Sequence, residues 1–153
     1  MKPLLSLVIA ATFTASTALA QEATDTVELT PWEAISTLES DNLKDFLWLF
    51  RPIVVFADSA ADPRFEQQVA LLKEGAEALQ ERDVVVLFDT DPSARSDLRK
   101  TLRPRGFMVT LIGKEGGVKL RKPSPWTVRE ISRTIDKMPM RQREIRERNE
   151  ADG

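Results

Sequence analysis

Neither cysteine nor histidine occurs anywhere in this 153-residue chain. Without a thiol there is no disulfide framework, no thiolate nucleophile and no thiol–disulfide exchange. Without imidazole there are no Ser-His or Cys-His pairs, and neither histidine nor cysteine is available as a metal ligand. Charge excess is also lacking: 22 basic residues face 24 acidic ones, for a formal net charge of −2. That balance gives no basis for bulk nucleic-acid binding. Long hydrophobic runs are missing as well. The run from Leu4 to Ala11 is too short and too diluted by alanine and threonine to span a bilayer, and no later segment is apolar enough to cross one.

That first run has a different meaning. Lys2 supplies a positive start, the apolar run follows, and Ala18-Leu19-Ala20 offers a small-x-small cleavage pattern before Gln21. Residues 1–20 therefore read as an export signal, and the expected location is periplasmic or secreted, with no stable membrane insertion after cleavage. The remaining chain is long enough for one domain whose core is stable without staples. It divides into an N-terminal segment with a short helix (21–42), a main domain (43–138) and a charged helical tail (139–153).

Punctuation along the chain is clear. Thr30-Pro31-Trp32-Glu33 carries a capping box with proline at the first helical position, and a short helix to about Leu38 follows. Pro52 to Ala57 is a continuous apolar run of the kind found in a strand buried on both faces. Asp62-Pro63 starts a helix with Phe65, Val69, Leu72, Ala76 and Leu79 as one stripe, ending at Arg82-Asp83. Val84 to Phe88 reads as a second strand. Asp91-Pro92 caps a helix to about Leu102. Phe107–Ile112 and Val118–Arg121 flank a glycine-rich turn and form a hairpin. Ser124-Pro125 caps a helix bearing Val128, Ile131 and Ile135, which Met138-Pro139 breaks. The order helix, β, α, β, α, β, β, α predicts an α/β, thioredoxin-like fold with a central four-stranded mixed sheet flanked by helices.

Several phrases carry a resemblance. Arg51 to Ala57, Asp62-Pro63-Arg64 with Gln68, Arg82-Asp83, Leu111 to Lys119 and Met138 to Arg141 are similar to a bacterial family of exported, thioredoxin-like domains of unknown function. The stretch from about Leu43 to Glu147 also resembles the DUDES domain of vertebrate equarin and sushi-repeat-containing extracellular proteins. The resemblance implies fold and export; it implies no activity. Where such folds place their thiols, this chain reads Ala57-Asp58-Ser59-Ala60-Ala61-Asp62-Pro63. Met108 stands where thioredoxins place a cis-proline.

Ligands of open α/β sheets sit beyond the carboxyl ends of the parallel strands. The candidate binding residues are therefore Asp58, Asp62 and Asp89, with Arg51, Arg64 and Lys114 as cations. Each has a structural reading beside the functional one. Asp62 and Asp91 precede prolines and read as helix caps. Asp58 and Asp89 fit as acceptors for turn amides. Arg51 or Arg64 would pair with these aspartates, and Lys114 and Lys119 would be exposed hairpin lysines. Ser59 has no base to activate it. Asp89-x-Asp91 begins like a calcium loop, but Pro92, Ala94 and Arg95 break the pattern, so no metal and no cofactor are expected. The tail from Arg141 to Glu150 pairs its own charges at helical spacing and reads as a solvated helix or a docking segment. The expected function is that of a redox-inactive binding module with a protein partner in the cell envelope or exterior. The alternative is a non-thiol enzyme, or a small-anion-binding protein, using the Asp58–Arg64 loop.

Overall fold

Every residue of the first strand, β1 (Arg51–Phe56), is buried. A strand with partners on both edges and helices over both faces can be apolar throughout, and the β-branched Ile53, Val54 and Val55 suit it. A computed structural model describes residues 28–153, so the expected export signal lies outside the described residues. In it β1 pairs in parallel with β2 (Val84–Asp89) and antiparallel with β3 (Met108–Ile112), which forms a hairpin with β4 (Val118–Lys122). The sheet order is β2-β1-β3-β4. This is the thioredoxin-like arrangement.

Pro52 lies within the central strand without breaking it. The Arg51 amide donates toward β2, to the Asp83 carbonyl at 2.7 Å. The missing amide of Pro52 therefore falls on the β3 side, where pairing starts only at Ile53 opposite Leu111.

Strand alternation divides the core into two layers. Ile53, Val55 and Ala57 face α1 (Pro31–Ser36), α2 (Pro63–Glu74), α3 (Ala76–Gln80) and α5 (Val128–Asp136), with Leu72, Leu79, Trp126, Ile131 and Ile135 between. Val54 and Phe56 face the other way, toward Phe46 and toward Leu98 and Leu102 of α4 (Asp97–Leu102). Gln68 is buried in the first layer. Its amide donates to the Trp126 carbonyl at 2.9 Å and accepts from the Trp126 amide at 2.7 Å, so both backbone groups are satisfied. Among the described residues no helix is long and apolar enough to cross a membrane.

Three boundaries differ from the sequence reading. The helix starting at Asp62 is two helices, because Gly75 lets the chain approach Val128 of α5 where a Cβ would collide. The helix starting at Asp91 is a single 3-10 turn (Pro92–Ala94). Arg95 then adopts φ 49°, and Ser96 caps α4 by accepting from the Arg99 amide. α5 is capped by Thr127 with Glu130, a full capping box, rather than by Ser124.

Helix propensity alone would favour Gly75→Ala by about 1 kcal/mol. The structure reverses the sign, because the new Cβ would stand 2.5 Å from Val128 Cγ1. Gly75→Ala is expected to destabilise the fold by about 1–3 kcal/mol. Val128→Ala in the same chain should not recover that loss, because the Val128 Cβ itself would stand 2.6 Å from the new atom; both variants are read by urea denaturation.

Candidate functional site

At the carboxyl end of β1 the aspartates are occupied with structure. Asp62 caps α2, accepting from the Arg64 amide at 2.9 Å, and the same carboxylate takes the Arg64 guanidinium at 3.2 and 2.9 Å. The Arg64 side chain, with its backbone amide, holds the Asp62 carboxyl below the usual aspartate range. Arg64 also lies over the Phe107 ring, 5.4 Å from its centroid. Asp91 accepts from the Ser93 hydroxyl and amide, which lowers its pKa in the same way.

Asp89 is saturated. It accepts from Arg99 Nε at 2.7 Å, from the Ser96 hydroxyl and from the Asp91 amide at 3.2 Å. Arg99 also donates to the carbonyls of Ala57 at 2.8 Å and Asp89 at 3.1 Å, so it ties together the ends of both parallel strands. The sequence reading missed Arg99, since nothing in α4 marks one cation among several. Asp58 is exposed and makes no hydrogen bond among the described residues; the turn amide of Ala61 goes to Ser59 Oγ instead. The loop from Asp58 to Arg64 lines an open, shallow depression. Of its three charges Asp62 and Arg64 pair with each other, which leaves the exposed Asp58 carboxylate without an ion-pair partner among the described residues. Among the described residues no group of three or more acidic side chains could hold a metal ion.

Arg51 and Lys114 do not belong to this end. Arg51 starts β1 and Asp58 follows its end, which separates them by on the order of 20 Å. Arg51, with its side chain 1% exposed, donates to the Arg82 carbonyl at 2.9 Å and to Glu144 of α6 (Pro139–Ala151) at 3.0 Å. Lys114 is not an exposed hairpin lysine: it donates to Asp83 and Glu144, each at 2.8 Å. The helix α6 is solvated only in its second half, where residues 146–151 are exposed; its first half is docked. Arg141 is buried, with Asp136 at 3.6 Å and Glu144 at 3.5 Å. Asp136 also takes a two-point contact from Arg82 at 2.9 and 2.8 Å, which lowers its pKa. Burial opposes the charge on Glu144, but the hydrogen bonds from Arg51 and Lys114 outweigh it and hold its pKa low.

The amino end of β1 also carries the features the sequence did not advertise. A cavity of about 240 Å³ opens beside Arg51, walled by Met138, Pro139 and Met140 and rimmed by Lys119, Glu115 and Arg143. Next to the same hairpin, Trp48 donates its amide to the Lys114 carbonyl at 2.8 Å. Its backbone is left-handed, φ 65°, and its side chain is 65% exposed, with Leu49 61% exposed beside it. A tryptophan in that conformation is rare and strained.

The family model described as "Domain of unknown function (DUF4174)" matches residues 42–144. This chain belongs to the DUF4174 family. No curated protein sequence matches it significantly. Among solved structures, the DUF4174 fold is similar to the reduced 2-Cys peroxiredoxin of Plasmodium vivax, with a TM-score of 0.53, 18% identity, and 67% of this chain and 85% of that one covered. Thioredoxin peroxidase I of Plasmodium yoelii matches with a TM-score of 0.47, 18% identity and coverage of 66% and 79%. StoA of Bacillus subtilis matches with a TM-score of 0.38, 11% identity and coverage of 56% and 82%. At these identities the first of them speaks for the fold alone. That protein is a 2-Cys enzyme, whereas this DUF4174 chain has no cysteine.

If Asp62 acts as a cap, Asp62→Ala lowers the melting temperature by a few degrees, and Asp62→Asn lowers it less because the amide oxygen still accepts. The folded pKa is depressed, so the stabilisation is present above the ordinary aspartate pKa and is lost as pH falls through the lower folded value. The gap between wild type and Asp62→Ala should accordingly close in acid, as read by thermal melts across pH.

Proposed function

We propose that this DUF4174 chain is an exported, thiol-independent thioredoxin-like binding module that engages a protein partner in the cell envelope or exterior. The observation that carries the reading is the Trp48–Leu49 tip. Two large apolar side chains are held out to solvent by a backbone conformation that costs about 1–3 kcal/mol. Exposed aromatic residues held rigidly are the usual anchors of protein interfaces. Redox inactivity follows from composition, because exchange needs a thiolate. Asp58, Ser59 and Asp62 occupy the loop where thiols would stand, and their carboxylates or hydroxyl cannot substitute in that chemistry.

Export is part of the same proposal. Its support is the pattern Ala18-Leu19-Ala20 after an apolar run that begins behind Lys2. On this reading residues 1–20 are removed and residues 43–138 form the working domain, with the tail docked on it.

One experiment tests these points together. Osmotic shock of the native cells should release a protein starting at Gln21 that does not reduce insulin disulfides. Cross-linked within that compartment, it should hold one specific partner. Trp48→Gly should abolish that complex while keeping or raising the melting temperature, since glycine adopts φ 65° without strain. An intact complex with Trp48→Gly would contradict the tip's role, and a membrane-bound chain retaining Met1 would contradict export.

A further inference from the structure

We propose that the groove between residues 36–41 and the free edge of β2 takes a short extended peptide bearing an arginine or lysine beside an apolar residue. This rests on the protein-partner reading and gives that partner a chemistry, through residues other than the Trp48 tip.

The groove follows from how the chain crosses the sheet edge. β2 is an outer strand, paired only with β1. Arg51 and Ala57 donate their amides to the carbonyls of Asp83 and Asp89, so the residues between alternate. Val85 and Leu87 face β1, while Val84, Val86 and Phe88 turn their amide and carbonyl to the free edge. The chain between α1 and a 3-10 turn (Leu43–Phe46) passes that edge, anchored by buried Ile35 on one side and buried Phe46 on the other. Residues 38–41 make no backbone hydrogen bond to β2. They shield the edge without pairing with it, and a cavity of about 330 Å³ is left between.

Two features of that cavity select a basic, partly apolar occupant. Leu38 and Phe88 wall it and are 39% and 37% exposed. The Phe88 ring is held in place by Phe65, edge-on with 5.7 Å between centroids, and by Trp32 at 6.1 Å. Its remaining surface is open to an apolar side chain or a cation. Charge is the second feature. Glu39 and Asp41 line the cavity, neither makes an ion pair among the described residues, and no basic residue lines it. The turn that carries Asp41 is fixed: Ser40 donates its hydroxyl to Asp45 at 2.6 Å and accepts from the Asn42 amide at 3.0 Å. An arginine or lysine meets these carboxylates with its head and the apolar walls with its stem.

The backbone of Phe88 favours a peptide over a free cation. Its outward amide and carbonyl have no hydrogen-bond partner among the described residues. A peptide backbone offers the complementary acceptor and donor, as when a strand is added to a sheet edge. Val84 and Val86 are buried, so the pairing is confined to the Phe88 end and the bound segment is short. The cavity volume, at the low end of ligand sites, agrees with a few residues.

The test is an NMR titration of the protein isolated from cells expressing the full sequence. The probes are the capped tripeptide leucyl-arginyl-valine, the same peptide with neutral citrulline for arginine, and butylguanidinium as a cation without a backbone. At millimolar concentration the arginine peptide should shift the amides of Leu38, Glu39 and Phe88 and slow hydrogen exchange at Phe88. Citrulline should weaken binding by about tenfold, and so should Glu39→Gln combined with Asp41→Asn. Both side chains are exposed and unpaired, so that double variant should melt like the wild type. Butylguanidinium should bind more weakly than the peptide. No shift with the arginine peptide, equal binding of the citrulline peptide, or unchanged affinity in the double variant would overturn the proposal. Butylguanidinium binding as tightly as the peptide, with Phe88 exchange unaffected by either, would overturn the peptide occupant and assign the groove to small organic cations. Trp48→Gly should bind the arginine peptide normally, so this reading and the tip's role can fail separately.

Discussion

A guanidinium buried to 1% exposure at the first residue of the central strand constrains most of what surrounds it. Removing a charge from water costs several kcal/mol unless partners compensate. The compensation for Arg51 comes from distant parts of the chain: the Arg82 carbonyl before β2, and Glu144 on α6. Glu144 in turn holds Lys114 of the hairpin, and Lys114 holds Asp83. Arg82 and Arg141 both reach Asp136 at the end of α5. The first half of the chain's last long helix is thereby fastened to the sheet through Arg141 and Glu144, and the hairpin turn is fixed against the start of β1.

This arrangement also allots chemistry between the two ends of the sheet. At the carboxyl end, where thioredoxin-like folds place thiols, Asp62, Asp89 and Asp91 are each satisfied by local partners, and Arg99 latches β1 to β2. That end is built for stability. At the amino end Arg51, Lys114 and Arg141 share Glu144, and Trp48 is held outward beside the hairpin. Binding through the amino end would use a thioredoxin-like fold without calling on any thiol.

Much of the fold was legible because its signals are local. The β-branched run after Pro52, the cap-then-proline pairs at Thr30 and Asp62, and the glycine-rich hairpin turn each act within a few residues. The cap at Thr127 was legible too, as Thr-x-x-Glu, but Ser124-Pro125 competed with it three residues earlier. Of the candidate residues, Asp62 and Arg64 do pair as read. Arg51 and Lys114 could not be placed from sequence, since their shared partner is Glu144 and only the tertiary fold brings residues 51 and 144 together. Trp48 reads as one more apolar residue approaching a strand. Its exposure depends on a left-handed turn that tryptophan seldom adopts, so no propensity argument could find it.

The measurement closest to the centre of this account is a double-mutant cycle on Arg51 and Glu144 by urea denaturation. Glu144→Leu alone strands a buried cation and is predicted to cost about 2–4 kcal/mol. Adding Arg51→Met removes that cation, so the double variant should be more stable than Glu144→Leu alone. Costs that simply add, or a Glu144→Leu loss below about 1 kcal/mol, would contradict the view that the buried Arg51 organises the fold.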